Sequence, residues 1–514
     1  MKINEFEKYY QKKYTKGSID EHLAIYETRD GQGFGDSPKA ILDYWVANLP
    51  EYEHIIVVKA ADIAFLTAEY ATFDNVTVVE YLSKAHADGM LTAKYVITNA
   101  LIFTSYFTKK TGQIFVNTWH GTPVKKMGYA MPGGVMGSWN VVRNFVMTDY
   151  LLAPNEHTET IFRRDYRLDG IYDGTILRMG YPRNDVLING LDADKTTKIR
   201  TTLGLNPAQP FVLYAPTWTG DNATLSLQSK VFTDYLKVIN KTIELGFQIR
   251  LKVHPYLWEL AQQDQAIAPY LIADTVETNE VLGLADQLIT DYSSIFFDYL
   301  ILNRPITFLD LTEDYDHERG LYIPQTDLPG TYLREVEQLD DGLQHDIFQD
   351  RRLAWQKQFT SEETGQSAKA VVEQLLAHQP VSKAAHTKPR VLINARYFLD
   401  SQVSNKIIEY IQAHQANEDI SVIVSFPGSE PEFWQHVDAI IPPNSIDPDI
   451  YSRLFVHVTN TKWHELRLRG RIKKLRKLHM SFNCLQWRPK SYYELNNLTG
   501  GAKFDKLLKY RTFK

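Results

Sequence analysis

Short runs that are apolar at nearly every position, separated by stretches of helical periodicity, recur through most of this chain. HLAIYE (22–27), HIIVV (54–58), VTVVE (76–80), KYVITN (94–99) and QIFVNTW (113–119) form a first series. FVLYAPTW (211–218), FQIRLKVH (247–254), DQLITDYSS (286–294) and PITFLD (305–310) form a second. A strand with one wet face alternates polar and apolar residues. An uninterrupted apolar strand is buried on both faces, which is the habit of a parallel sheet covered by helices. The two series predict an α/β fold with two doubly wound, Rossmann-like domains facing across a cleft, over 1–200 and 201–380. KAAHTKPR (383–390) reads as a linker. RVLINARYFLD, the helical stretch NKIIEYIQAH, ISVIVSF and VDAIIPP then predict a small C-terminal α/β region with a basic tail, 381–514.

Charge is distributed unevenly. Residues 451–514 carry 16 Lys and Arg against three Asp and Glu, whereas residues 1–450 carry 40 against 59. Within the tail, ELRLRGRIKKLRKLHMSF (465–482) repeats Leu466, Ile472, Leu475 and Leu478 at roughly helical spacing among basic residues. A basic amphipathic helix suits an anionic membrane surface. The alternative is a basic face that docks on the acidic body of the same protein. No nucleic-acid-binding motif is present, so no nucleic-acid partner is expected. The single cysteine, Cys484, excludes an intrachain disulfide and a cysteine-built metal site. No apolar run reaches the roughly 18–20 residues of a membrane span, and the N-terminal segment has no signal-peptide core. These features read as cytosolic.

In a doubly wound sheet the chemistry gathers where strands end. QIFVNTW runs into HGTPVKK (120–126), placing His120 at a strand exit beside a glycine that permits close backbone approach and a proline that fixes the turn. A histidine there can take a proton from an attacking hydroxyl near neutral pH, and Lys125 and Lys126 can hold phosphate. IRLKVHP (249–255) similarly puts Lys252 and His254 at a strand end; His254 either faces His120 across the cleft or is a satisfied strand-end residue. In LITDYSSIFFDYLIL (288–302), Ser293 and Ser294 supply hydroxyls at an expected helix start suited to diphosphate, with Asp298 one turn on. An ordinary capped helix is the competing reading. Thr217 in APTW is a further hydrogen-bonding candidate. The loop DGQGFGDSP (30–38) has Gly31, Gly33 and Gly35 but not the dinucleotide fingerprint spacing. GxxxxGK[ST], HExxH and GxSxG are absent, which counts against a nucleotide hydrolase, a zinc protease and an α/β-hydrolase.

Taken in order, DGQGFGDSPKAI, NTWHGTPVKKMG (117–128), LLAPNEHTETIFR (151–163), GYPRNDVL (180–187), YAPTW, KVHP and ITDYSSIFFDY (289–299) resemble the CDP-glycerol glycerophosphotransferase family, the teichoic-acid primases and polymerases. The resemblance covers about residues 20–330, weakens to about 375, and leaves 381–514 without a counterpart. It implies a GT-B-like fold whose N-terminal half handles the acceptor and whose C-terminal half binds the CDP-linked donor. It implies catalytic roles for His120 and His254. It also implies donor-binding positions at Trp119, Gly121, Thr122, Pro123, Arg183, Pro216, Thr217, Lys252, Val253, Ser293, Ser294 and Asp298.

The implied reaction moves glycerol phosphate or ribitol phosphate from its CDP-activated form, CDP-glycerol or CDP-ribitol, to the terminal hydroxyl of a lipid-linked acceptor, releasing CMP at the cytoplasmic membrane face. No cofactor and no metal are expected. In the family a segment after HGTP mediates peripheral membrane association; here that stretch is GYAMPGGVMGSWNVVRNFVM (128–147), which by its apolar spacing reads equally as a buried core helix. Two other functions remain open from sequence: a GT-B glycosyltransferase using a sugar nucleotide in capsule synthesis, and a non-catalytic membrane-associated scaffold.

Overall fold

The computed structural model describes residues 1–102, 107–131, 138–217, 225–253, 255–273, 275–311, 320–378, 387–396, 401–427, 454–459, 502–509 and 512. Three wholly parallel sheets organise them. The first contains β1 (Asp20–Glu27), β2 (Glu53–Val58), β3 (Val76–Glu80), β4 (Ala93–Thr98), β5 (Ile114–Asn117), β6 (Tyr150–Ala153) and β7 (Thr175–Arg178), in the order β3-β2-β1-β4-β5-β6-β7. The second contains β8 (Phe211–Ala215), β9 (Gln248–Leu251), β10 (Gln287–Thr290), β11 (Ile306–Leu309) and β12 (Thr331–Leu333), in the order β12-β11-β10-β8-β9. The third contains β13 (Arg390–Arg396), β14 (Asp419–Pro427), β15 (Leu454–Thr459) and β16 (Lys506–Lys509), in the order β15-β14-β13-β16.

The period of two along each strand decides which core a residue enters. In β1, Ala24 and Tyr26 pack with Trp45 and Ile41 on one face, while Ile25 packs with Phe6, Met90 and Phe115 on the other. In β8, Phe211, Leu213 and Ala215 join one core and Val212 and Tyr214 the opposite one. Both faces are therefore apolar, as the continuous runs require. The helix Ser367–Leu376 leaves the second sheet and returns to the first, where Val371, Val372 and Leu375 complete the core around Trp45.

Residues 451–514 are not simply a tail. β15 and β16 both lie within them and flank the third sheet, β16 pairing with β13 and β15 with β14. KLLK and its charged neighbours carry too little apolar character to read as a strand, yet an edge strand needs only one buried face. The third sheet docks on the first lobe. Arg390, 2% exposed, donates to the Gly170 carbonyl at 2.7 Å and to both carboxylate oxygens of Asp173 at 2.9 and 3.1 Å. The basic helical stretch 465–482 and VDAIIPP lie outside the described residues.

The docked sheet overturns the membrane-facing reading of 128–147 for its described part. The helix Trp139–Met147 buries Val142, Arg143, Asn144 and Phe145 completely, and Tyr129 is 9% exposed. Leu392 of β13 joins the same apolar cluster, with Phe504 and Leu507 packed against it. This is a core helix under a third layer. Residues 132–137 lie outside the described residues.

Candidate active site

A parallel sheet opens a crevice where strand order reverses, because the loops leaving the two adjacent strands diverge to opposite faces. In the first sheet that point lies between β1 and β4, and in the second between β8 and β10. Each crevice is spanned by a hydrogen bond between its two strand exits. Asn99, after β4, donates from Nδ2 to Asp36 Oδ2 at 2.9 Å, Asp36 closing the Gly-rich loop after β1. Thr217, after β8, donates from its amide to Asp291 at 2.8 Å and from its hydroxyl to the same carboxylate.

His120 follows β5 at the first crevice. Its side chain is open to solvent although protein walls stand close around it, so loss of hydration pulls its pKa below the ordinary histidine value, reinforced by the Arg183 and Arg29 charges and opposed by Asn99 and Asp36. The ring is thus neutral at pH 7. Nδ1 lies 2.7 Å from the Asn99 carbonyl oxygen. A carbonyl only accepts, so Nδ1 carries the proton and Nε2 is left as the basic nitrogen.

Trp119 backs this ring. Its centroid stacks 4.2 Å from that of His120, and its other contacts are edge-on to Phe145 and Phe162. The residue is 4% exposed with φ of 56°, a conformation costing a bulky side chain about 1–3 kcal/mol. The stack and the Asn99 carbonyl together hold the His120 ring at the strand exit. Thr122 is buried and receives the Asn155 amide at 3.0 Å, and the Pro123 carbonyl accepts from His157 Nε2 at 2.8 Å. Trp119, Thr122 and Val253 are buried, so their side chains are not presented to the cleft.

The two lobes touch beside His120. A β-carbon on Gly121 would overlap the Ser294 hydroxyl and approach Ser294 Cβ to 2.9 Å, so only glycine lets the HGTP loop and the Ser-Ser turn meet. Ser293 and Ser294 are partly exposed there. The helix they precede, Ile295–Tyr299, is only five residues long and passes into a 3-10 turn at Leu300–Leu302. Its dipole is small, which leaves the hydroxyls as the stronger groups toward an anion. Lys125 and Lys126 pair with the chain at 320–322, and the Lys125 charge acts on Asp291, whose carboxyl is nevertheless raised by burial. Pro216 and Lys252 are partly exposed at the exits of β8 and β9. His254 lies outside the described residues.

Arg183 and Asp298 are brought together rather than presented separately. Arg183 Nη2 lies 2.8 Å from Asp298 Oδ2, while Nη1 donates to both oxygens of Asp36 at 3.1 Å and to the His120 carbonyl at 2.9 Å. Asn184 gives Asp298 its other bond at 3.0 Å. One guanidinium therefore joins carboxylates from both lobes. Burial would raise the Asp36 carboxyl, but Arg183, the Ser37 amide and Asn99 outweigh it and hold it low; at Asp298 burial wins and the pKa is raised.

Around this centre stand two acids absent from the sequence-based candidates. Glu363 accepts from the Tyr181 amide at 3.1 Å and from Asn184 at 2.8 Å, and burial pushes it up to about 8. Glu277 accepts from the Asp36 amide at 3.2 Å and is pushed by burial up to about 7. A cavity of about 410 Å³ is lined by Asp36, Lys39, Arg183, Lys195, Glu277 and Glu280 among others; neither Glu363 nor His120 borders it. Among the described residues no group of His, Cys, Asp and Glu is placed to hold a metal ion. Asp36, Asn99 and Asp291 were identifiable only by their position at strand exits beside the two crevices.

Residues 9–377 match the family described as CDP-glycerol:poly(glycerophosphate) glycerophosphotransferase. A teichoic acid poly(glycerol phosphate) polymerase of Bacillus spizizenii is 31% identical over 378 residues, covering 70% of this chain and 92% of that protein. A polymerase of the same description from Staphylococcus epidermidis is 31% identical over 381 residues, 70% of this chain and 51% of its own length. Among solved structures, the wall teichoic acid polymerase TagF superposes with a TM-score of 0.61 at 26% identity, over 73% of this chain and 92% of that one. The matched region ends before the third sheet.

Proposed function

The chain belongs to the CDP-glycerol:poly(glycerophosphate) glycerophosphotransferase family, and from that premise we propose that it transfers glycerol phosphate from CDP-glycerol to the terminal hydroxyl of a teichoic-acid-type acceptor, releasing CMP. The observation that carries the mechanism is the His120 ring, fixed with its basic nitrogen available, on a loop that touches the Ser293–Ser294 turn of the other lobe.

The acceptor hydroxyl oxygen attacks the phosphorus bonded to glycerol. The new P–O bond forms as the phosphoanhydride P–O bond to CMP breaks, and the hydroxyl proton passes to His120 Nε2. Charge develops on the departing CMP phosphate. Ser293, Ser294, Lys252 and the main chain of Gly121 to Pro123 stand at the strand exits where that phosphate would sit; His254, by its match to the family motif, shares the task of stabilising that charge. Arg183 and Asp298 hold the lobes in register; their mutual pairing supports an organising role beneath the donor rather than free hydrogen bonding to it.

The acceptor is lipid-linked and the enzyme works peripherally at the cytoplasmic face of the membrane. Among the described residues no helix is long and apolar enough to cross a membrane. With 142–147 buried, the basic stretch 465–482, whose charge favours anionic lipid, is the proposed attachment surface. Vesicle sedimentation tests this: replacing Arg471, Lys473, Lys474, Arg476 and Lys477 with Gln should weaken binding to anionic vesicles and leave the fold intact. Equal binding rejects the stretch as an anchor. For the reaction, a donor panel decides: CMP release from CDP-glycerol supports the assignment, and UDP release from UDP-sugars replaces it with a glycosyltransferase.

A further inference from the structure

The Gly-rich loop after β1 takes no part in the reaction just described, yet its last residue is the most heavily connected carboxylate near His120. Asp36 has φ of 64°, a left-handed conformation that Asp and Asn tolerate better than other non-glycine residues. Its amide is held by Glu277 and its carboxylate receives the Ser37 amide at 2.5 Å. The Ser37 bond is local and the Glu277 bond reaches from 241 positions away; together they hold Asp36 at the crevice between β1 and β4.

Two arms lead from there to His120. The first runs through Asn99: its side-chain amide donates to Asp36 at 2.9 Å, and its carbonyl holds His120 Nδ1 at 2.7 Å. The second runs through Arg183: Nη1 contacts Asp36 at 3.1 Å and the His120 carbonyl at 2.9 Å. Ring and main chain of one residue are thus tied to one carboxylate, through two different residues that follow β4 and β7. Their side chains are largely buried, with Asp36 16% and Arg183 9% exposed, so the charge pair is weakly screened.

We infer that Asp36 is a positioning residue for the transferase reaction, setting the orientation of His120 through Asn99 and Arg183 without touching either substrate. The inference rests on the function proposed above. Asp36 also faces the imidazole electrostatically: its charge favours the protonated ring, while Arg183 and Arg29 disfavour it. Asp298 shares Arg183 from the second lobe, and Glu277 meets Asp36 through its amide.

The test is steady-state CMP release across pH for wild type, Asp36→Asn and Asn99→Ala, with thermal melts of each. Asn at position 36 keeps the left-handed backbone and the shape but removes the charge. Its kcat should fall about tenfold or more while KM for CDP-glycerol stays within about twofold, because misplacing the base alters chemistry and not donor binding. The acidic limb of kcat/KM should move to lower pH, since the group that favours imidazolium is gone. Asn99→Ala cuts one arm and keeps the charge, so its kcat should fall with the acidic limb unmoved. A purely structural Asp36 would lower the melting temperature and the active fraction with the limb fixed. Wild-type kcat and an unshifted limb in Asp36→Asn overturn the inference, as does full kcat in Asn99→Ala should Asp36→Asn not fold. If wild type releases no CMP, the functional reading fails instead. Histidine ¹⁵N titration, assigned by His120→Ala, then reads the same coupling directly: the His120 titration should move to lower pH in Asp36→Asn, and an unmoved titration overturns the inference.

Discussion

Gly121 of the first lobe and Ser294 of the second approach so closely that a β-carbon on the glycine would lie 2.9 Å from Ser294 Cβ. The contact joins the loop that carries His120 to the turn that offers hydroxyls. Gly121→Ala must therefore push the lobes apart at the reaction centre. We predict a loss in kcat/KM of about 100-fold, the cost of roughly 1 Å of misplacement. Steady-state kinetics with CDP-glycerol check it, and near-normal turnover would show that the contact is not maintained during catalysis.

His120→Ala should lower kcat about 10²–10⁴-fold, the usual contribution of a positioned general base. The ring is exposed and its contacts are the Trp119 stack and one hydrogen bond to the Asn99 carbonyl, so the melting temperature should change little. Loss of folded protein, in place of loss of turnover, would assign the histidine a packing role.

Glu363 gives stability a definite pH dependence. Burial raises its folded pKa to about 8, above the ordinary 4.5 expected of the unfolded chain. The unfolded state therefore gives up this proton more readily, and the stabilisation present below about pH 4.5 is lost as pH rises toward 8. Glu363→Gln keeps an acceptor for Tyr181 and Asn184 but cannot ionise. Its melting temperature should equal or exceed that of wild type at pH 8.5, with a smaller fall between pH 5 and pH 8.5. A parallel fall in both proteins would exclude Glu363 as the cause.

Arg390→Ala tests the docking of the third sheet. The guanidinium is 2% exposed and Asp173 43% exposed, so screening at the carboxylate reduces the full cost of breaking a buried pair. We predict a destabilisation of about 1–3 kcal/mol in urea unfolding. CMP release should persist, because residues 390–509 lie outside the region shared with the family.

Most apolar strands of both large sheets were legible because burial on two faces leaves no polar alternation to confuse the reading; β6, YLLA, was missed although it is buried at every position. β7 and β12 were not legible either: TILR and TYL are short and half-exposed. β16 was hidden by the basic composition around it. The site followed the same division. His120, Gly121, Ser293 and Ser294 announce themselves as strand-exit residues in HGTP and DYSS. Asp36, Asn99 and Glu363 do not, since their roles arise from pairing across long sequence separations, Asp36 with Arg183 147 positions away and Asn184 with Glu363 179 positions away. Arg183 and Asp298 were identified individually, but only the fold reveals that they bind each other. The helix 139–147 shows the limit of periodicity, which gives the same spacing for a membrane-facing surface and for a core covered by another sheet.

The most direct measurement is product analysis after incubating the purified protein with CDP-glycerol and a lipid-linked glycerol-phosphate acceptor. Glycerol phosphate transfer requires CMP in solution together with acceptor heavier by whole glycerol phosphate units, both lost in His120→Ala. An unchanged acceptor with no CMP, alongside UDP release from a sugar nucleotide, would contradict it.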